Sequence, residues 1–153
     1  SQEMRISLLS TILSCGLIAN AHAAEFGTAE EAQALVKKAV SYIQSVGAQK
    51  AYADITSKKQ DFLDRDLYIA VIGFDGTIIA HGVNEKLPGK NMLDLKDTDG
   101  KLFIREIVDK AKTQNSLTVD YKFTEPTTKK VLPKTMFCDR LNETVVCAGI
   151  YKH

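Results

Sequence analysis

The stretch DGTIIAHGVNEKLPGKNMLDLKDTDG, from Asp75 to Gly100, constrains the fold more than any other part of the chain. Asp75-Gly76 between β-prone residues predicts a tight hairpin turn. It joins the apolar, β-branched run Leu67–Phe74 to a short strand, Thr77–Ala80, that ends on His81. A polar loop follows, with a turn at Pro88-Gly89 and with Asn91 and Asp94 spaced along it. Asp97, Asp99 and Gly100 then lead to an amphipathic helix. Strand, turn, strand, long loop and helix in that order predict a curved sheet with a loop folded back over its own face.

The rest of the chain supplies the layers. Thr28 with Glu31 three residues on is a capping-box pattern. Ala32, Leu35, Val36, Ala39, Val40, Tyr42 and Ile43 then recur at helical spacing up to Gly47. Ala48 to Thr56 reads as a second short helix carrying Ala51, Tyr52 and Ile55. Leu67–Phe74 is continuous rather than alternating, so a central strand buried on both faces is expected. Lys101 to Lys112 is a helix with Leu102, Ile104, Ile107, Val108 and Ala111 inward. Three strands close the chain: Ser116–Phe123, Lys129–Arg140 and Thr144–Tyr151. The predicted class is α+β, a five-stranded antiparallel sheet with the long N-terminal helix packed on it.

The beginning of the chain carries an address. Met4-Arg5, the apolar run Ile6–Leu13 and the small-x-small site Ala21-His22-Ala23 predict a secretory signal peptide. The three residues ahead of Met4 stand apart from that pattern. Residues 1–23 are therefore read as a leader and 24–153 as one domain. A competing reading makes Ile12-Leu13-Ser14-Cys15 a lipobox that acylates Cys15. No run approaches the ~20 apolar residues of a membrane span. With 20 basic against 19 acidic residues, net +1, and no basic cluster, nucleic acid is not an expected partner.

Cys138 and Cys147 lie in β-prone runs on either side of Asn142-Glu143. If those two residues form the hairpin loop, residues whose numbers share that sum face each other, and the two cysteines are directly opposed. An oxidising compartment can join such a pair. Two free core thiols, or a metal pair, are the alternatives. Metal is disfavoured because His81 and His153 are not at ligand spacing with the cysteines and a closed zinc site takes four ligands.

Catalytic motifs are missing: there is no G-x-S-x-G, H-E-x-x-H, phosphate-binding glycine loop or C-x-x-C-H. No enzyme activity and no cofactor are expected. Asp97-Thr98-Asp99-Gly100 begins like a calcium loop, but the twelfth position is Val108, which cannot supply the bidentate carboxylate. A turn ending in a helix cap is the reading kept. Asn142-Glu143-Thr144 has the pattern of a glycosylation site but sits in the predicted tight turn.

In combination, Asp75, Gly76, Ala80, His81, Gly89, Lys90, Asn91, Asp94, Leu95, Asp97, Gly100 and Lys101 closely resemble the single Cache domain of the second type. That family is an extracytoplasmic relative of PAS sensor domains, and the resemblance runs from about Gly27 to Tyr151. It implies the PAS-like α+β sheet, a periplasmic location, and a small carboxylate held between the sheet and the loop above it. The chain reaches His153 without a kinase, cyclase or chemotaxis module, from which a stand-alone protein with an unidentified protein partner is expected.

The candidate ligand-binding residues are Lys134, Tyr121, His81, Tyr68 and Met92. By alternation, Lys134 shares a face with Leu132, Met136 and Cys138, and either blunts an edge strand or projects its charge into a pocket. The resemblance favours the pocket, since the family has a lysine here, after a proline, that meets anionic ligands. Tyr121 is either core packing or a hydroxyl aimed at the ligand. His81 is either a solvated strand-end histidine or part of the pocket mouth. Tyr68 on the strand and Met92 on the loop complete the wall. A tyrosine common in the family three residues after the lysine is Phe137 here, which removes one hydroxyl from the implied set. The alternative function is a structural or interaction protein whose pocket is filled by its own side chains, with the Thr28 helix pairing two copies into a homodimer.

Overall fold

Thr28 caps the first helix in the way its sequence requires. Its hydroxyl accepts from the Glu31 amide at 3.2 Å, and the Glu31 carboxylate accepts from the Thr28 amide at 3.1 Å. The helix α1 (Ala29–Val46) then buries Ala32, Val36, Ala39 and Ile43, one stripe at helical spacing. Gly47 ends it, and α2 (Ala48–Thr56) buries Ala51 and Ile55. The computed structural model describes residues 24–153. The leader expected over residues 1–23, with its cleavage site and Cys15, lies outside them.

The strands are β1 (Leu63–Asp64), β2 (Leu67–Gly73), β3 (Ile78–His81), β4 (Ser116–Thr124), β5 (Val131–Leu141) and β6 (Thr144–Tyr151). They form an antiparallel sheet in the order β1-β2-β6-β5-β4, with β3 also paired to β2. The five expected strands are present, and β1 is a two-residue addition. The strand from Leu67 is interior but not central, because the last strand inserts beside it and takes the middle. Every residue of β2 is buried, which accounts for its unbroken apolar run.

Alternation divides the core into two layers. Leu67, Ile69, Val71, Val146 and Ala148 pack under α1 and α2. Ile72, Val145, Cys147, Met136 and Tyr121 pack on the other face under α3 (Phe103–Ala111). Ile104, Ile107, Val108 and Ala111 are buried in α3 as expected. Leu102 is not: it sits at the helix N-terminus, half-exposed, and Phe103 takes the inward place.

Two local readings change. Asp97 does not cap α3. One of its carboxylate oxygens accepts from the Asp99 and Lys101 amides, each at 2.9 Å, and the other from the Lys122 amide at 3.0 Å, which ties the loop to β4. The loop after β3 also does more than overlie the sheet. Ile78 N donates to Lys90 O, Gly89 N to Ile78 O and Met92 N to Gly76 O, so it doubles back along the free edge of β3. Leu87, Met92 and Leu93 thereby reach the core under α3.

The hairpin at Asn142-Glu143 has the expected register. Leu141 pairs with Thr144, and Cys138 faces Cys147 with Cα atoms 4.1 Å apart and sulfurs bonded. Among the described residues, no helix is long and apolar enough to cross a membrane.

Candidate functional site

Lys134 is buried in the middle of the sheet, not at its edge, because β5 pairs with β4 on one side and β6 on the other. The edge-strand reading is therefore excluded. The side chain is 2% exposed and is among the largest fully buried ones in the protein. Across the ladders, Lys134 is flanked directly by Tyr121 of β4 and Tyr151 of β6. Its stem crosses the backbone of Gly149, where a Cβ would lie 2.2 Å from Lys134 Cε. Glycine at that place is what lets a lysine lie flat between strands.

The ammonium ends in a cage of aromatic rings. It lies 4.4 Å from the Tyr68 ring centre, 4.8 Å from Tyr151, 5.4 Å from Phe123 and 5.8 Å from Tyr121. These faces offset part of the cost of its burial. One of its protons is given to Tyr68 Oη at 2.8 Å. Tyr68 and Tyr151 hydroxyls are 3.0 Å apart, and Tyr151 donates to the Thr124 carbonyl at 2.9 Å. That fixes the direction of the chain: Lys134 to Tyr68, Tyr68 to Tyr151, Tyr151 to Thr124. Among the described residues Lys134 forms no salt bridge. A buried charge without a counter-charge is costly, and among the described residues only one of its three donors has a partner.

His81 is buried, so the solvated strand-end reading is also excluded. Burial first, and the nearby Lys134 charge second, push its pKa down to about 3. The ring is neutral at ordinary pH. Its Nδ1 accepts from the amides of Asn84 at 3.0 Å and Val83 at 3.4 Å, which puts the proton on Nε2. Tyr121 stacks on Phe103, with ring centres 4.2 Å apart. Burial, and then the neighbouring Tyr68, push its hydroxyl well above the ordinary tyrosine range.

These side chains meet at a cavity of about 20 Å³, whose walls include Tyr68, His81, Leu87, Met92, Tyr121 and Phe123. That is room for about one water. Four of the five residues singled out from the sequence line it, and Lys134 joins it through the Tyr68 hydroxyl. Tyr151 was missed, and so were Leu87 and Phe123. The signal for Tyr151 was available: Lys134 and Tyr151 have the same residue-number sum as Cys138 and Cys147, so one hairpin register opposes both pairs. Phe137, counted as a lost hydroxyl, packs in the layer under α1. A hydroxyl at that position would point away from the cavity, so the substitution does not thin the donor set.

A larger cleft of about 370 Å³ opens between α1 and the β4–β5 strands. Its charged residues Lys37 and Asp139 pair with each other at 3.2 Å, so its charges are matched within the cleft. The buried lysine and its tyrosines lie at the smaller cavity.

A model of the single Cache domain 2 family matches residues 15–151. The sensor histidine kinase MctS of Rhizobium johnstonii is 34% identical over 127 residues, which cover 76% of this chain and 27% of that protein. The chain thus spans about a quarter of the length of this relative. Among solved structures, a methyl-accepting chemotaxis protein from Vibrio parahaemolyticus superposes with a TM-score of 0.70 at 23% identity, over 80% of this chain and 86% of that one. A Cache chemosensory domain described for carboxylic acid recognition gives a TM-score of 0.67 at 20% identity, over 81% and 92%. At these identities the two structural likenesses carry the fold alone.

Proposed function

The chain belongs to the single Cache domain 2 family, and on that premise we propose that it is an extracytoplasmic sensor domain for a small carboxylate. The ligand lies between the sheet and the loop after β3. Its carboxylate takes the two unused Lys134 donors, with the Tyr68, Tyr121 and Tyr151 hydroxyls and His81 Nε2–H around it, and Met92 on the wall. The observation that carries this reading is the buried, unpaired Lys134 ammonium. An anion supplies the missing counter-charge, and charge-assisted hydrogen bonds replace the water that the carboxylate loses.

The relative that is a sensor kinase and the neighbour described for carboxylic acid recognition support the same reading. A thermal-shift screen of acetate, propionate, pyruvate and lactate, followed by calorimetry of any hit, tests it. Stabilisation that is lost in Lys134→Met is the expected result.

A second reading has one observation in its favour. A cavity of about 20 Å³ is close to being filled by its own side chains, as a structural or interaction module would have it. Under that reading no carboxylate stabilises the protein, and Lys134→Met raises its melting temperature with no loss of binding to report.

A further inference from the structure

Resting on the carboxylate-binding reading, a problem of entry arises. A cavity with room for about one water cannot admit even acetate unless part of its wall moves. Most of that wall is held in place. Tyr68, Ala70, Ile72, Tyr121 and Met136 stand on paired strands, and Phe103 and Ile104 on α3.

Two further clefts lie outside it, one of about 700 Å³ beside Asn91 and Leu95, the other of about 260 Å³ beside Pro126 and Lys129. Among the described residues, Leu87 and Phe123 alone line the inner cavity and both outer clefts. Both are half-buried, as side chains on a boundary should be.

The backbone carrying Leu87 is fastened at two glycines. Gly82 N donates to Ile69 O at 2.9 Å, and Gly89 N to Ile78 O at 2.8 Å. Gly89 has φ +90, a conformation that favours glycine, and nothing lies within 4 Å of where its Cβ would be. Between them two of the segment's backbone amides bond within it: Leu87 N to Asn84 O, Lys86 N to the Asn84 side chain. Its tie to the rest of the fold is the His81 ring, whose Nδ1 takes the Val83 and Asn84 amides.

We propose that residues 83–88 are a flap hinged at Gly82 and Gly89, with Leu87 closing against Phe123 as the doorway to the buried site. His81 is the latch, because one ring both holds the flap and lines the cavity. A doorway sets the rate of entry, whereas a wall residue sets how tightly the guest is held.

The test does not depend on knowing the ligand. Ile78 lines the inner cavity and is 3% exposed. Ile78→Cys in a Cys15→Ser background, with the Cys138–Cys147 bridge intact, is labelled with methyl methanethiosulfonate. Leu87→Ala and Phe123→Ala are each expected to raise the labelling rate at least tenfold. Met136→Ala, which trims the same wall at a residue lining neither outer cleft, should raise it less than twofold. Denaturant unfolding of each variant gives the rate due to global opening. Unchanged labelling, equal acceleration by Met136→Ala, or acceleration no greater than global unfolding explains, overturns the doorway. Faster labelling with no carboxylate bound would leave the doorway standing and remove the carboxylate reading; carboxylate binding with unchanged labelling would do the reverse.

Discussion

Lys134 and Tyr151 face each other across the β5–β6 ladder, in the register that also bonds Cys138 to Cys147 four residues further along. One two-residue hairpin thus builds both the covalent staple and the charged end of the site. On the cavity face of β6, Gly149 lies between the cysteine and the tyrosine, and leaves the space that the lysine stem fills.

Replacing Lys134 by Met is expected to weaken carboxylate binding at least tenfold while the fold holds. The lost charge-assisted hydrogen bond is worth about 1.5–3 kcal/mol, roughly a tenfold to hundredfold loss of affinity. Without a guest the unpaired charge is a liability, so the melting temperature of the apo protein should stay level or rise. Calorimetry and thermal melts of both proteins decide it; unchanged affinity would mean that Lys134 is not the anchor.

Gly149→Ala should mimic that loss by geometry alone. The added methyl meets Lys134 Cε at 2.2 Å, so the stem must leave its track. Overpacking of this kind costs about 1–3 kcal/mol. Urea unfolding should show that cost, with carboxylate affinity falling in parallel. Full affinity in this variant would show that the ammonium reaches the site by another route.

Tyr151→Phe removes the hydroxyl that accepts from Tyr68 and donates to the Thr124 carbonyl. About 1–2 kcal/mol of stability should go with it, since Tyr68 is left with a buried, unpaired O–H. Tyr68 can then turn that proton to a ligand, so affinity should fall less than in Lys134→Met. Equal losses in the two variants would contradict this ordering.

Joint replacement of Cys138 and Cys147 by Ser should cost about 2–3 kcal/mol, because the closed loop is short and constrains the unfolded chain only modestly. Denaturant midpoints of oxidised wild type and the double variant measure it.

His81 predicts an acid limb in stability. Its folded pKa is about 3 against an ordinary 6.5, so the unfolded chain binds the extra proton between those values. The stability tied to a neutral ring is fully present above pH 6.5 and falls as pH drops toward 3, by up to about 1.4 kcal/mol per unit. The depressed carboxyl groups act lower, and two of them are held lowest. The Tyr42 and Lys50 hydrogen bonds hold Asp54 at about 2. Burial raises Glu125, but hydrogen bonds from Thr127 and Thr128 outweigh it and leave the group at about 2. From pH 6.5 to 5 the slope should therefore belong to His81, and His81→Gln should flatten it in urea titrations. A slope that survives the change would assign it to another group.

Much of this molecule is legible in its residues because local rules decide it. The capping box at Thr28 and Glu31 starts α1, and the unbroken run from Leu67 marks a strand covered on both faces. The Asn142-Glu143 turn determines which residues oppose one another in β5 and β6, including Cys138 with Cys147. Alternation puts Lys134, Met136 and Cys138 on one face. None of these needs a partner distant in sequence. The order of the strands does, and so the sequence could not say that β6 takes the middle of the sheet beside β2. That placement decides what the Lys134 ammonium meets, because it sets β2 with Tyr68 beside β6 with Tyr151. It also brings Tyr68 and Tyr151, 83 residues apart, within one hydrogen bond. Burial of a charge is a property of everything that surrounds it, and only the assembled sheet, helix and loop supply those surroundings.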